Sequence, residues 1–224
     1  MPMAIRVGTQ TNPTGVIANG KITIGDNSAG TGPTIYGMVA SGSEIEIRGN
    51  GSPTIDASGS DTTLLVSSFS SATVTISCSP NLTLSPDAFR QRAALMVFGT
   101  TATTNINADF QPDYNNRVRP AVVSHGSPGP SQVNIGTSGS DVDIDGVIYS
   151  WGAGDSGNIT LGSNTGTISG ALVANGDVTL SGANLNLAYD PAIFRDAEVA
   201  SDIFYGFGAG QRTYLPAWGR WRLR

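Results

Sequence analysis

Gly170-Ala-Leu-Val-Ala-Asn-Gly-Asp-Val-Thr-Leu-Ser-Gly182 decides how this chain is read, because its centre recurs near the other end as Ile17-Ala-Asn-Gly-Lys-Ile-Thr-Ile24. Two copies of one pattern, an aliphatic-Ala-Asn-Gly corner followed by an aliphatic-Thr-aliphatic run, mark one structural unit used twice. Looser copies are Gly37-Met-Val-Ala-Ser-Gly-Ser-Glu-Ile-Glu-Ile-Arg-Gly49 and Gly146-Val-Ile-Tyr-Ser150 with Gly157-Asn-Ile-Thr-Leu-Gly162. The intervals from Gly15 to Gly37 and from Gly146 to Gly170 are nearly equal and match the period of a solenoid coil. The expected fold is an all-β parallel β-helix, one domain over residues 1–224. Short alternating strands between glycine turns also suit a β-sandwich, which stands as the alternative.

Working outward, Ile22 and Ile24 flank Thr23, and Ile45 and Ile47 flank Glu46. That period of two puts the aliphatic residues inside and Thr23, Glu44, Glu46 and Arg48 on the solvent side. Leu64-Leu-Val66, Val74-Thr-Ile76 and Leu82-Thr-Leu84 continue the idiom. It breaks at Ser85-Pro-Asp87, where a capping Ser, a Pro at the first helical position and an early acid predict a short helix running through Ala88 to Met96. Residues 85–130 read as an irregular insertion. Strand alternation resumes at Val133, and Asp190 caps a second expected helix over 192–200. The tail from Ile203 carries Phe204, Tyr205, Phe207, Tyr214, Trp218 and Trp221 with Arg212, Arg220, Arg222 and Arg224. An open β stack exposes an apolar ring and unpaired backbone, so residues 190–224 are expected to form an aromatic C-terminal cap, with Trp218, Arg220, Trp221 and Arg222 as cap or partner-docking residues.

Composition narrows the function. The 224 residues include 29 glycines, only 13% are charged, and the net charge is −5. Lys21 is the only lysine, which argues against nucleic acid, whose affinity rests on cationic side chains. One cysteine, Cys78, and one histidine, His125, leave no pair for a disulfide within the chain, a cysteine cluster or a two-histidine zinc site. No apolar run is long enough to predict a transmembrane span. Scarce charge with abundant Ser, Thr, Asn and Gly is typical of secreted surface β proteins, so an extracellular, cell-surface or periplasmic setting is expected.

Asp145-Gly-Val-Ile-Tyr149, Gly157-Asn-Ile-Thr-Leu161, Thr167-Ile-Ser-Gly-Ala-Leu-Val-Ala174, Asp177-Val-Thr-Leu-Ser-Gly182, Tyr189-Asp-Pro-Ala-Ile193 and the stub Trp218-Gly-Arg-Trp221 together resemble the C-terminal region of PilX-type pilus assembly proteins. The resemblance covers about residues 131–224 best, and 13–60 more weakly. It implies a structural role in a type IV pilus-like system, with self or pilin-like proteins as partners, and it implies no catalytic residues. Members of that family carry an N-terminal pilin-like helix, which this chain does not show, so the resemblance is to the exoplasmic region.

Three constellations bear on chemistry. Asp141-Val-Asp-Ile-Asp-Gly146 places Asp141, Asp143 and Asp145 at the first, third and fifth positions of a calcium loop, but Gly152 stands where the closing Glu belongs. Calcium is the one cofactor the sequence suggests, against an acidic strand face. Asp109, Asp113, Arg117 and Arg119 are the cluster that a carbohydrate-active β-helix enzyme, a lyase or hydrolase, would use; this is the alternative to a non-enzymatic structural or adhesive module. Thr23, Thr75, Thr83, Thr160 and Thr179 are expected to point outward, where they would form a ladder if their strands fall in register.

Overall fold

The computed structural model describes residues 6–9, 11–25, 32–49, 51, 53–56, 62–78, 81–85, 93–107, 109–112, 120–136, 142–162, 165–182 and 184–189. The first coil runs through β1 (Arg6–Val7), β2 (Val16–Ala18) and β3 (Ile22–Ile24). The second contains β4 (Thr34–Tyr36), β5 (Val39–Ser41) and β6 (Glu44–Gly49), and the third β7 (Thr54–Asp56), β8 (Thr62–Ser67) and β9 (Ser71–Cys78). The fourth has β10 (Asn81–Ser85), β11 (Ala93–Gly99) and β12 (Thr101–Ile106), and the fifth β13 (Asp109–Pro112), β14 (Pro120–Gly126) and β15 (Ser131–Ile135). Beyond it two faces merge into single long strands. β16 (Val142–Gly152) precedes β17 (Gly157–Leu161), and β18 (Thr165–Ala174) precedes β19 (Val178–Leu180) and β20 (Asn184–Tyr189).

Strands from successive coils stack into three sheets: five-stranded β1-β4-β7-β10-β13, eight-stranded β2-β5-β8-β11-β14-β16-β18-β20 and seven-stranded β3-β6-β9-β12-β15-β17-β19. Every ladder between these strands is parallel. The fold is therefore the β-solenoid and not the sandwich, because hairpin-linked sandwich strands pair antiparallel.

In-register pairing makes columns. Along the seven-stranded sheet Ile24, Ile47, Ile76, Ile106, Ile135, Leu161 and Leu180 lie one above another, with neighbouring strands about 4.8 Å apart. From Ile47 to Leu161 these side chains are essentially fully buried. The neighbouring column is Ile22, Ile45, Val74, Thr104, Val133, Ile159 and Val178. The eight-stranded sheet faces them with Val16, Val39, Leu64, Leu95, Val122, Ile148 and Leu172. This interior is one continuous aliphatic cluster.

The corners explain the repeat. Gly146 pairs with Gly170 in the ladder, and Gly146 has a φ of 119°, a left-handed conformation that glycine adopts without strain. A Cβ at Gly170 would run into the Gly146 carbonyl, so the long strands turn there only because both residues are glycine. At the next corner Asn175 Oδ1 accepts from Gly152 N at 2.9 Å and Gly157 N at 3.0 Å, while its Nδ2 donates to Gly152 O at 2.7 Å. The Asn-Gly of the opening motif is thus a coil corner.

Coil length is not constant. Val16 pairs with Val39, a slightly longer step than Gly15 to Gly37, and the next two steps, to Leu64 and then to Leu95, lengthen further. The expected helix through Ala88 to Met96 is corrected over its second half: Ala93–Gly99 is β11, paired with β8 and β14 on either side. Its Ala94, Leu95, Met96 and Val97 are all buried, and a strand covered on both faces loses the alternation that marks strands in sequence. Met96 and Val123, which point away from the main interior, form a second small cluster with Leu65, Phe98 and Tyr149. Within the expected insertion over 85–130, the described residues include the strands β11 to β14. No helix occurs among the described residues. Residues 86–92, the expected helix over 192–200 and the expected cap over 190–224 lie outside them.

Thr104 is the one polar member of its column. It is fully buried, and its Oγ1 finds no hydrogen-bond partner among the described residues. Thr104→Val, which replaces the hydroxyl with a methyl, is expected to raise the unfolding free energy by about 1 kcal/mol. Ile76→Ala in the adjacent column should lower it by about 3 kcal/mol. Urea titrations of the two variants beside the wild type measure both.

Candidate functional site

Outward-facing columns are where a solenoid meets other molecules, and register decides which residues share one. Thr23, Glu46, Thr75, Asn105, Asn134, Thr160 and Thr179 form one such column on the seven-stranded sheet. Four of the five threonines expected to form a ladder are therefore aligned, with Glu46, Asn105 and Asn134 between them; Thr83 lies on β10 in another sheet. The amides knit the face. Asn134 Nδ2 donates to Asn105 Oδ1 at 2.9 Å, and Gln132 Nε2 donates to Asn134 Oδ1 at 3.0 Å and Thr160 Oγ1 at 3.3 Å. Charge is confined to one end, where Lys21 Nζ lies 3.0 Å from Glu44 and 2.7 Å from Glu46. The hydrogen bond from Lys21 holds the Glu46 carboxyl below its ordinary value and, reciprocally, raises the ammonium.

The eight-stranded sheet carries a different column at its corner. Register stacks Phe98 on His125 and His125 on Trp151. The rings meet edge-on, with centroids 6.1 Å apart for Phe98 and His125 and 4.5 Å for His125 and Trp151, the T-shaped arrangement that aromatic quadrupoles favour. Beside them, a shallow open cleft of about 280 Å³ is lined by Ser68, Phe69, Phe98, Thr100, His125 and Ser127. Phe69 is fully exposed at 107%.

Ser124, next to His125 in sequence, faces the opposite way. It is completely buried and accepts from Ser131 Oγ at 2.9 Å, and Ser131 in turn meets Ser150 Oγ at 2.9 Å. These three hydroxyls satisfy one another inside the solenoid, so Ser124 and His125 do not act together as nucleophile and base.

From Val142 onward the acidic motif is strand. Val142 to Ser150 pair continuously with Gly166 to Ala174, and Val142 and Ile144 are buried in the interior. Asp143 Oδ1 accepts from the Thr167 backbone N–H at 2.8 Å, which ties one coil to the next. Of the expected calcium candidates, Asp143 and Asp145 lie on the extended strand β16; Asp141 lies outside the described residues. Among the described residues no group of three His, Cys, Asp or Glu side chains is placed to hold a metal ion. Asp109 lies on β13. Asp113, Arg117 and Arg119 of the expected acid-base cluster lie outside the described residues, as do Trp218, Arg220, Trp221 and Arg222.

Sequence reasoning missed the aromatic column. Its members come from three different coils, and Phe98 falls near the stretch expected to be helical, so only the observed register aligns them. Comparison with family models, with curated proteins and with solved structures finds no significant match for this chain.

Burial lowers the His125 imidazole from its ordinary value of 6.5. On acidification the unfolded chain takes up a proton at this residue before the folded chain does, so His125 costs stability as pH falls from about 6.5 toward the lower native value. The stability of wild type relative to His125→Gln is therefore expected to be greatest above about pH 7 and to shrink toward pH 5, as read by denaturant midpoints across that range. A pH-independent difference would show that His125 is as solvated in the fold as outside it.

Proposed function

We propose that this chain is a non-enzymatic structural or adhesive module of a surface filament or type IV pilus-like system, built with one covered end and one docking end. The asymmetry of the ends carries this reading. At the last rung the inward-facing Val178, Leu180 and Leu187 are 44%, 55% and 43% exposed. Their column neighbours one rung earlier, Ile159, Leu161 and Ile168, are at most 2% exposed. At the first rung, Ile22 and Ile24 are only 8% and 5% exposed.

An apolar rim bordered by terminal strands is a template for further pairing. Among the described residues β19 and β20 have no ladder partner on their outer sides. A strand from a second copy or from a pilin-like partner would extend the sheets there by β-augmentation, gaining backbone hydrogen bonds and covering the three aliphatic side chains. The resemblance to the PilX-type exoplasmic region agrees with such a role, as does the polar Thr and Asn face, which offers an extended contact surface along the solenoid. Localisation at the cell surface or in the periplasm belongs to the same proposal.

The test uses the full chain in sedimentation and negative-stain microscopy, beside Val178→Asp and Leu180→Asp introduced together. Wild type is expected to form dimers or longer assemblies as concentration rises. The double variant is expected to stay monomeric with a nearly unchanged melting temperature, because both residues are about half exposed already. A wild type that remains monomeric throughout, or a variant that assembles equally well, sinks the proposal.

A further inference from the structure

We infer that the corner cleft around Phe69 binds a neutral sugar ring, making the middle coils a glycan-recognition site. The inference rests on the surface-contact part of the proposed function and gives that contact a chemical class.

The turn that presents Phe69 is held from both sides. Ser68 N donates to Phe98 O at 2.9 Å, Thr100 N donates to Ser70 O at 2.7 Å, and Thr100 Oγ1 donates to Phe69 O at 3.0 Å. Ser70 N closes the turn on Ser68 Oγ at 3.1 Å. These hydrogen bonds fix a backbone whose one large apolar side chain stands wholly in water. Exposing a phenyl ring on a pre-ordered turn is unfavourable for the isolated chain, and a fixed aromatic platform is the arrangement that lowers the entropy cost of binding.

The surroundings select the ligand. The cleft lining contains no acid and no Lys or Arg, and burial favours the neutral imidazole of His125, so the site supplies no charge to pair with an ionic group. It supplies hydroxyls instead. Ser127 lies on the rim with its side chain exposed, and the hydroxyl of Thr100, which donates to Phe69 O, keeps its acceptor capacity. Neutral imidazole adds one donor and one acceptor. A surface that combines an aromatic face with uncharged donors and acceptors matches a pyranose, whose axial C–H groups form an apolar face and whose rim is all hydroxyl. The cleft is shallow and open along the solenoid, which suits a ring within a longer chain better than an enclosed small molecule.

The probes are two neutral oligosaccharides, maltohexaose and cellohexaose, with an acidic polygalacturonate hexamer as the charged comparison. The full-length protein is titrated while the His125 ring resonances and the tryptophan fluorescence are followed. At least one neutral probe is expected to give saturable changes with a dissociation constant in the range of about 0.1–10 mM, and the acidic hexamer weaker ones. Phe69→Ala should weaken the neutral probe about threefold to tenfold, with melting temperature and sedimentation unchanged, because the ring contributes no buried area to the fold. No saturable response to either neutral probe, equal binding by Phe69→Ala, or tighter binding of the acidic hexamer overturns the inference. The paired Val178 and Leu180 variants separate it from the assembly proposal, since loss of assembly in them leaves the cleft and its sugar response intact.

Discussion

The described structure depends throughout on parallel, in-register stacking of one coil on the next. Where successive strands pair residue for residue, an inward side chain has the equivalent side chain of the next coil directly above it, about 4.8 Å away. A column can then be filled only by residues that pack against copies of themselves. Ile47, Ile76, Ile106 and Ile135 meet that condition, since β-branched side chains have few rotamers to lose and fit a pleated surface. The same geometry makes Thr104 conspicuous, a hydroxyl in an aliphatic column. The corners follow from the constraint as well. To keep register, each coil must turn in the same places, and Gly146 on Gly170 and the side chain of Asn175 set two of those turns.

Once the interior is committed to columns, so is the exterior. Alternation along each strand leaves a second set of residues aligned on the outside whether or not they serve a purpose. On one sheet this produces a polar face of Thr, Asn and Gln with its own hydrogen bonds. On another it brings Phe98, His125 and Trp151 into contact beside an exposed Phe69. At the last described rung, Val178, Leu180 and Leu187 stand exposed where their predecessors are buried. The proposed docking edge uses that exposed rung, and the proposed sugar site is a consequence of columns that must show an outer face.

Legibility in the sequence followed burial pattern. The solenoid was readable where one face of a strand is covered and the other wet, as in Ile22-Thr-Ile24, and from Val178-Thr-Leu180, which repeats the same residue pattern. It failed at Ala93–Gly99, because a strand buried on both faces is apolar without alternation and sits next to residues with helix-capping character. The irregular look of 85–130 has a related cause: the unequal steps from Leu64 to Leu95 and from Leu95 to Val122 erase a fixed period without disturbing the ladders. Asp141-Val-Asp-Ile-Asp-Gly146 resembled an ion-binding loop because carboxylates at alternate positions are shared by a loop motif and a strand edge. Only pairing tells them apart, and Asp143 proves to bond a neighbouring coil's backbone.

By itself, then, the sequence determined the repeating unit: the inward face of its alternating strands and the places where Asn-Gly and lone glycines turn the chain, all of them consequences of local alternation and of a repeated motif. That the strands pair in parallel, as a solenoid and not a sandwich, was settled by the ladders. Tertiary structure alone decided which residues of different coils become neighbours. That choice depends on the length of each coil, and a few extra residues in one turn move everything downstream by as much without altering any local pattern. Hence Phe98, His125 and Trp151, one from each of three successive coils, form one site that no spacing announces.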